Sequence, residues 1–486
     1  MQGQLTTLSY AVRIPVIVTY LSQLSLMVGL LTLFPLAMSL WYQEYSFTYA
    51  LLLISGICFG FGFTFRGLAK TDSLQPNEAL VITALAFLVV SLLMSWPFMQ
   101  ANLTFMDAWF ESVSAITTTG LTTLSTVSSM PNTFLFTRAW MQWYGGLGIV
   151  ALSVALLFGQ GMLIRPLKNS ESPSTHLDTT TRTYARSILL AYASFTGLGI
   201  AVLWPWSPSF LASMAHVFSA ISTGGFSTFD HNLAGFSHWA PRFILMILAF
   251  IGALTLPLYS RMYHKGAQQL WRDPEFRGLL IAGLLVSGLF YWISADLSPW
   301  PSQVGHALLV GFSAQTGTGF TTVAIDQLNP GAKALLLPFM MIGGSLGSTT
   351  GGIKIWRLIV LLQITRLMIH RTSITKHAVV QLRIGGEKIS EEEILRVLCF
   401  ITMFLILLLV SWIPFVVQSY PPLDALFDVM SAIATVGLST GVVDTSLPLN
   451  LKIILIIDML LGRLEIFAFL VLFYPLTWWG NRKEES

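Results

Sequence analysis

Four ten-residue stretches of the chain share one pattern. Residues 114–123 read SAITTTGLTT, 219–228 read SAISTGGFST, 313–322 read SAQTGTGFTT and 431–440 read SAIATVGLST. Each keeps Ser-Ala, then a glycine, then Leu or Phe, then hydroxyl residues; the shared glycines are Gly120, Gly225, Gly319 and Gly437. A glycine allows backbone turns that a bulky residue blocks, so carbonyl oxygens can point into a common space while Thr and Ser hydroxyls add further oxygens. Rings of neutral oxygens can replace the water shell of a cation, and nothing in these loops supplies the fixed positive charge of an anion path. The candidate binding residues are Thr118, Thr119 and Gly120; Thr223, Gly224 and Gly225; Gly317, Thr318 and Gly319; and Thr435, Val436 and Gly437. A shared register in four copies separates them from ordinary turn punctuation.

A second polar cluster interrupts an apolar stretch. It comprises Gly343, Gly344, Ser345, Gly347, Ser348, Thr349, Thr350, Gly351, Gly352 and Lys354. About ten residues this rich in glycine do not hold a good helix. Irregular polar backbone at membrane depth is tolerated where it is buried in protein or lines a watery cavity; glycines packing two helices together are the alternative. Residues 347–354, GSTTGGIK, look superficially like a phosphate loop but lack the final Gly-Lys-Ser/Thr, so no ATP site is expected. Arg463 stands in the last long apolar stretch, with Asp458 and Glu465 nearby. At a helix centre it costs roughly 2.5–3.5 kcal/mol, so it faces a partner or water; an ion pair with Asp458 or Glu465 is the structural alternative.

The elements that carry these residues are membrane helices. The 486 residues are 54% hydrophobic and only 10% charged, far from the roughly 25% charged residues of soluble domains. Ten apolar stretches, 15–40, 49–65, 79–98, 139–158, 187–204, 243–258, 278–293, 333–341 with its broken continuation, 394–417 and 451–476, are expected to cross about 30 Å of hydrocarbon. The first is too long for a signal-peptide core and reads as a retained helix. Basic residues fall on alternate connections, which places those connections in the cytosol: Arg66 with Lys70, Arg165 with Lys168, Arg182 with Arg186, Arg261 with Lys265, Arg272 with Arg277, the series Arg366, Arg371, Lys376, Arg383 and Lys388, and Arg482 with Lys483. The opposite side carries more acids than bases. Asp107, Glu111, Asp424 and Asp428 are expected there to attract cations to an external mouth.

On this topology each of the four loops sits on the outer side between one span and the next. A short apolar stretch, such as 108–116 or 425–433, precedes it and reads as a re-entrant helix. The expected fold is an all-α polytopic membrane protein: four parallel membrane-pore-membrane repeats around one pore, plus two extra N-terminal transmembrane helices. Four loops converging on one axis suit potassium. Cys58 and Cys399 read as apolar packing residues without a disulfide framework, and the histidines, His216, His306, His370 and His377 among them, as surface or interface residues. No HExxH, CxxC or nucleophile elbow is present, so no enzyme is expected. Secondary transporters usually have inverted repeats, whereas these four run the same way, which favours a conduit over potassium uptake coupled to protons or sodium.

The four loops, GGSLGSTTGGIK at residues 343–354 and GRLEIF at 462–467 together resemble the membrane subunits of bacterial Trk potassium-uptake systems, within the Trk/Ktr/HKT superfamily. The resemblance covers essentially the whole chain. It implies an N-terminal helix pair at 1–70, pore repeats at 77–160, 185–262, 276–370 and 393–478, and a cytosolic connection at 371–392. It implies selectivity glycines at Gly120, Gly225, Gly319 and Gly437, an intramembrane gating loop at residues 343–354 and a gating role for Arg463. A serine in the first loop of plant relatives goes with sodium transport; Gly120 holds that place here and favours potassium. Departures are also visible, since Gly317 stands where the other loops have Thr118, Thr223 and Thr435, and Ala434 replaces a hydroxyl residue. The ring is thus an irregular version of the TVGYG filter, with correspondingly looser exclusion of sodium. The resemblance further implies a homodimer in the bacterial inner membrane, seated on a cytosolic nucleotide-binding regulatory subunit (TrkA-like), with K+ as the transported ion. No organic cofactor or nucleic acid partner is expected. The basic stretch 366–388 is the candidate contact with the regulatory subunit, with anionic lipid as the alternative partner of those charges.

Overall fold

The computed structural model describes residues 11–69, 74–159, 177–255, 258–259, 261–262, 266–294, 301–373, 383–384 and 387–479. Lys70, Arg165, Lys168, Lys265, Lys376, His377, Arg482 and Lys483, invoked above, lie outside the described residues.

The chain opens on two long helices, Ile14–Trp41 and Tyr45–Phe65, packed against each other. Lipid offers no hydrophobic drive for that packing, so hydroxyls mark the seam: Thr32 meets Ser55 at 2.6 Å, Ser39 meets Thr48 at 2.9 Å, and Ser25 donates to the Cys58 carbonyl. Glu44, between the two helices, accepts the backbone N–H groups of Asn132 and Thr133 at 2.9 Å each. It satisfies orphan donors at the start of the helix Asn132–Gly159 and so ties the pair to the rest. Cys58 is buried in this seam; Cys399 is exposed instead of packed.

The element order then reads long helix, short helix, loop, second helix four times. The first unit has Pro76–Met99, Phe105–Ile116 and Asn132–Gly159; the second Leu177–Leu203, Phe210–Ile221 and Trp239–Ala253. The third has Pro274–Ile293, Ser302–Thr316 and Pro330–Met341; the fourth Glu391–Val417, Pro422–Ile433 and Leu449–Arg463. Short helices start where a side chain can cap them: the Thr104 and Ser209 hydroxyls accept the N–H groups of Asp107 and Ala212. They are almost wholly buried, so they form the core and the long helices the outer wall.

Among the described residues six helices are long and apolar enough to cross a membrane, fewer than the ten stretches expected. Hydropathy counts apolar residues regardless of backbone, and three second helices stop early: Trp239–Ala253, Pro330–Met341 and Leu449–Arg463. The expected span 451–476 breaks after Arg463, with Glu465 and Ile466 at φ 58° and 54°, before Phe467–Phe473 resumes.

Second helices approach the short ones very closely. A Cβ on Gly145, Gly252 or Gly462 would fall 2.1, 2.2 or 1.8 Å from the carbonyl oxygen ending the short helix of the same unit, Ile116, Ile221 or Ile433. Only glycine allows that contact. The third unit departs from the scheme: Gln315 replaces the isoleucine, its amide donates to the Ile342 carbonyl at 3.0 Å, and the second helix ends at Met341.

Candidate ion path

Each short helix ends in the same cap. In the first unit the N–H groups of Thr118 and Thr119 return to the carbonyls of Ala115 and Ser114; the second repeats this with Thr223 and Gly224 on Ala220 and Ser219. The third uses Gly317 and Thr318 on Ala314 and Ser313, the fourth Thr435 and Val436 on Ala432 and Ser431. The repeated Ser-Ala therefore supplies the acceptors, and the loop carbonyls stay free of the helix. The cap requires a left-handed residue two before each shared glycine. Thr118, Thr223, Gly317 and Thr435 have φ of 55°, 54°, 62° and 51°. Gly317 is thus no break in backbone symmetry, since it adopts without strain what its β-branched counterparts adopt at a cost.

The shared glycines then bring the loops into a ring. A Cβ on Gly120 would lie 2.1 Å from the Gly224 carbonyl oxygen, one on Gly225 2.0 Å from that of Thr318, one on Gly319 2.1 Å from that of Val436, and one on Gly437 2.3 Å from that of Thr119. The contacts run first to second, second to third, third to fourth and fourth back to first. All twelve candidate binding residues lie in this ring. The hydroxyls of Thr118 and Thr435 are buried without a hydrogen-bond partner, so the ring holds uncommitted oxygen as well as carbonyls.

Outside the ring, the acids expected to attract cations are used structurally. Glu111 accepts the Thr122 hydroxyl at 2.6 Å and the Thr123 N–H at 3.0 Å, and pairs with Arg138 at 2.9 Å. Asp428 accepts the Ser439 hydroxyl and the N–H groups of Thr440 and Val443. Of the surface and interface alternatives, the second holds for His216, which is buried and meets Ser227 at 2.9 Å; half-buried His306 meets Thr322 at 2.7 Å. These side chains hold the outward strand of each loop on its short helix.

Asp107 and Asp424 join units instead. Lys452 of the fourth unit reaches Asp107 of the first at 2.6 Å, and Lys333 of the third reaches Asp424 of the fourth at 2.7 Å. At the corresponding place Arg242 of the second unit lies over Trp239, whose ring meets His306 of the third edge-on. Leu135 and Ala212 occupy that place between the first and second units, where Asp230 instead accepts the N–H groups of Val127 and Ser128. Neutralising these acids is therefore expected to destabilise the fold at every ionic strength, since exposed charge alone would be screened over about 10 Å at 0.1 M. Lys452→Met leaves a buried carboxylate unpaired and is expected to lower stability by about 3–5 kcal/mol, read as an earlier thermal transition in detergent. Adding Asp107→Asn is expected to restore most of that loss.

On the inner side of the ring lies the polar segment 343–354. Ile342–Gly343 and Ile353–Lys354 pair in parallel and close it into a loop. Ser345, Ser348, Thr349 and Thr350 are buried in it. Thr349 donates to the Gly252 carbonyl at 3.0 Å and its hydroxyl meets that of Thr223 at 3.0 Å. A Cβ on Gly351 would lie 2.3 Å from the Thr435 hydroxyl, and one on Gly317 would meet Thr350 at 4.0 Å. The loop thus abuts the left-handed residue of three units, and the missing side chain at Gly317 leaves the place beside Thr350. Lys354 donates to the carbonyl and hydroxyl of Thr350.

Arg463 completes this layer. Its guanidinium, 2% exposed, donates to the carbonyls of Thr349 and, at 3.2 Å, Gly145. The ion pair considered from sequence is not formed: Glu465 pairs with Arg357 at 2.5 Å and Asp458 accepts the Ser411 hydroxyl at 2.7 Å. The helix ends at Arg463, so Glu465 points elsewhere.

A family described as TrkH, cation transport protein, matches residues 48–477. The chain belongs to the TrkH family. Among its relatives, the Trk system potassium uptake protein TrkH of Escherichia coli K12 is 32% identical over 423 residues, 84% of this chain and 87% of that protein. An uncharacterized cation transporter of Methanocaldococcus jannaschii is 30% identical over 452 residues, 92% and 93% of the two chains. The crystal structure of the potassium transporter TrkH from Vibrio parahaemolyticus superposes with a TM-score of 0.85 at 26% identity, covering 96% of this chain and all of that one. As a TrkH-family member the chain is a cation transport protein, mostly helical and multi-pass in the inner membrane.

Proposed function

We propose that this chain takes up potassium through a gated, channel-like pore. The four units are its pore repeats, and the twelve residues of the ring, from Thr118 to Gly437, are the selectivity filter. The observation that carries the reading is the cyclic contact of the four loops, each glycine against the carbonyl before the next glycine. Such an arrangement presents neutral oxygens around one axis, which suits a dehydrated monovalent cation. The Escherichia coli and Vibrio parahaemolyticus relatives are named for potassium, which selects that ion.

The segment 343–354 acts as the gate, with Arg463 and Lys354 holding it under the filter. Two copies of the chain form the working unit, and a TrkA-like cytosolic subunit binds on the exposed basic positions Arg366, Arg371 and Arg383. The relatives' description as part of a Trk system supports such a partner.

Reversal potentials in proteoliposomes test the central claim. The purified chain is expected to give a potential set mainly by the potassium gradient, with a smaller sodium contribution from permeation, and independent of pH. A potential that shifts with pH, or a potassium flux that requires sodium, would assign coupled uptake instead.

A further inference from the structure

We propose that Leu346 and Glu275 tie the polar loop to the cytosolic face, so that displacing the small apolar core there moves the loop. This rests on the reading of the loop as a gate.

Leu346 is the only large apolar residue between Gly343 and Gly352. Its side chain leaves the polar loop and packs on a cluster that includes Trp356, Ile384 and Ile389. These come from the helix Ile355–Arg371, the strand pair Arg383–Ile384 with Glu387–Lys388, and the approach to the helix Glu391–Val417. The cluster is separate from the large membrane core. Its own backbone is fixed as well: the Leu346 N–H donates to the Glu275 carboxylate at 3.1 Å. Glu275 lies in the first turn of Pro274–Ile293, a helix capped by Asp273 through the N–H groups of Glu275 and Phe276.

The loop therefore has two ends of opposite character. Thr349 and Gly351 lie against the filter units, whereas Leu346 is anchored in the cytosolic core. Only Gly347 and Ser348 separate Leu346 from Thr349, a reach of at most about 10 Å when fully extended. The stretch is closed by a turn in which the Ser348 N–H donates to the Ser345 carbonyl at 3.1 Å, so displacing the cluster shifts the turn and Thr349 with it. A lone apolar side chain in a polar loop has this consequence because burial fixes it to whatever core receives it.

Potassium flux through the full chain in proteoliposomes tests the link, with each variant first shown to be monodisperse. Leu346→Ala is expected to raise flux about tenfold by loosening the anchored end. Glu275→Ala is expected to act in the same direction, whereas Glu275→Gln, whose amide oxygen still accepts the Leu346 N–H, should stay near the parent. Ile389→Ala changes only the receiving core. It is expected to raise flux too, and a purely local disturbance of the loop would leave it unaltered. Potassium-over-sodium preference should not move in any of these variants. Parental flux in Leu346→Ala and Ile389→Ala beside raised flux in Arg463→Ala overturns the link and leaves the gate standing. Parental flux in all three overturns both.

Discussion

Arg463→Ala protein that remains monodisperse in detergent is expected to conduct potassium at least tenfold faster than the parent. The guanidinium has two effects that oppose a passing cation. It fixes the loop by donating to the Thr349 carbonyl, and it anchors that grip on Gly145 of the first unit. It also places a buried charge on the inner side of the ring, where a cation about 8 Å away is repelled by about 2 kcal/mol at an effective dielectric of about 20. Alanine removes both. Arg463→Lys keeps the charge but loses the fork that reaches two carbonyls, so it should fall between parent and alanine. Deleting several residues within 344–352 is expected to raise flux as well. The measurement is potassium flux per correctly folded protein. Reduced flux in folded Arg463→Ala would make the guanidinium a support of the pore and end its assignment to the gate.

Gly120→Ser is expected to cut potassium-over-sodium preference by tenfold or more. The new Cβ would fall 2.1 Å from the Gly224 carbonyl oxygen, a separation that no packed structure holds, and the atom it meets belongs to the backbone of the neighbouring loop. The ring has to open at that corner. A widened ring no longer replaces the hydration shell closely, so the ion whose size it fits loses its advantage. Gly437→Ala makes the same demand on the Thr119 carbonyl and should behave alike. Gly441 supplies the control: its φ is 87°, yet a Cβ there meets nothing within 4 Å. Gly441→Ala therefore carries the backbone strain of a left-handed residue, roughly 1–2 kcal/mol, without touching a neighbouring loop. It should lower stability and spare selectivity. Ion competition in a flux assay reads all three variants, and unchanged competition in folded Gly120→Ser removes Gly120 from the filter.

The four loops were legible because their register repeats, and the polar loop because glycine and hydroxyl residues interrupt an apolar stretch. The acids were misread on the same evidence of position. Glu111, His216 and Asp428 each stand nine residues before a shared glycine, a regularity that marks them as braces for the loop rather than as surface charge. Lys333 and Lys452 likewise answer acids thirteen residues before the glycine of the next unit, Asp424 and Asp107, but only the ring order makes them neighbours. Arg463 was harder. Its partners are backbone carbonyls, which carry no residue type, while the nearby Asp458 and Glu465 offered an apparent answer that the helix end withdraws. The early stops of two second helices escaped hydropathy for a related reason: Gly252 and Gly462 announce a close approach, but their partners lie in another helix.

The contact of Gly437 with the Thr119 carbonyl, and of Lys452 with Asp107, joins the last unit to the first. A ribosome delivers the units in order, at about 5–20 residues per second. Until residue 452 has entered the membrane, the first unit waits with one flank uncovered, and its buried Asp107 waits for a counter-ion 345 residues downstream. Three inserted units enclose no axis. A chain cut short before the fourth unit thus lacks both contacts that join the last unit to the first.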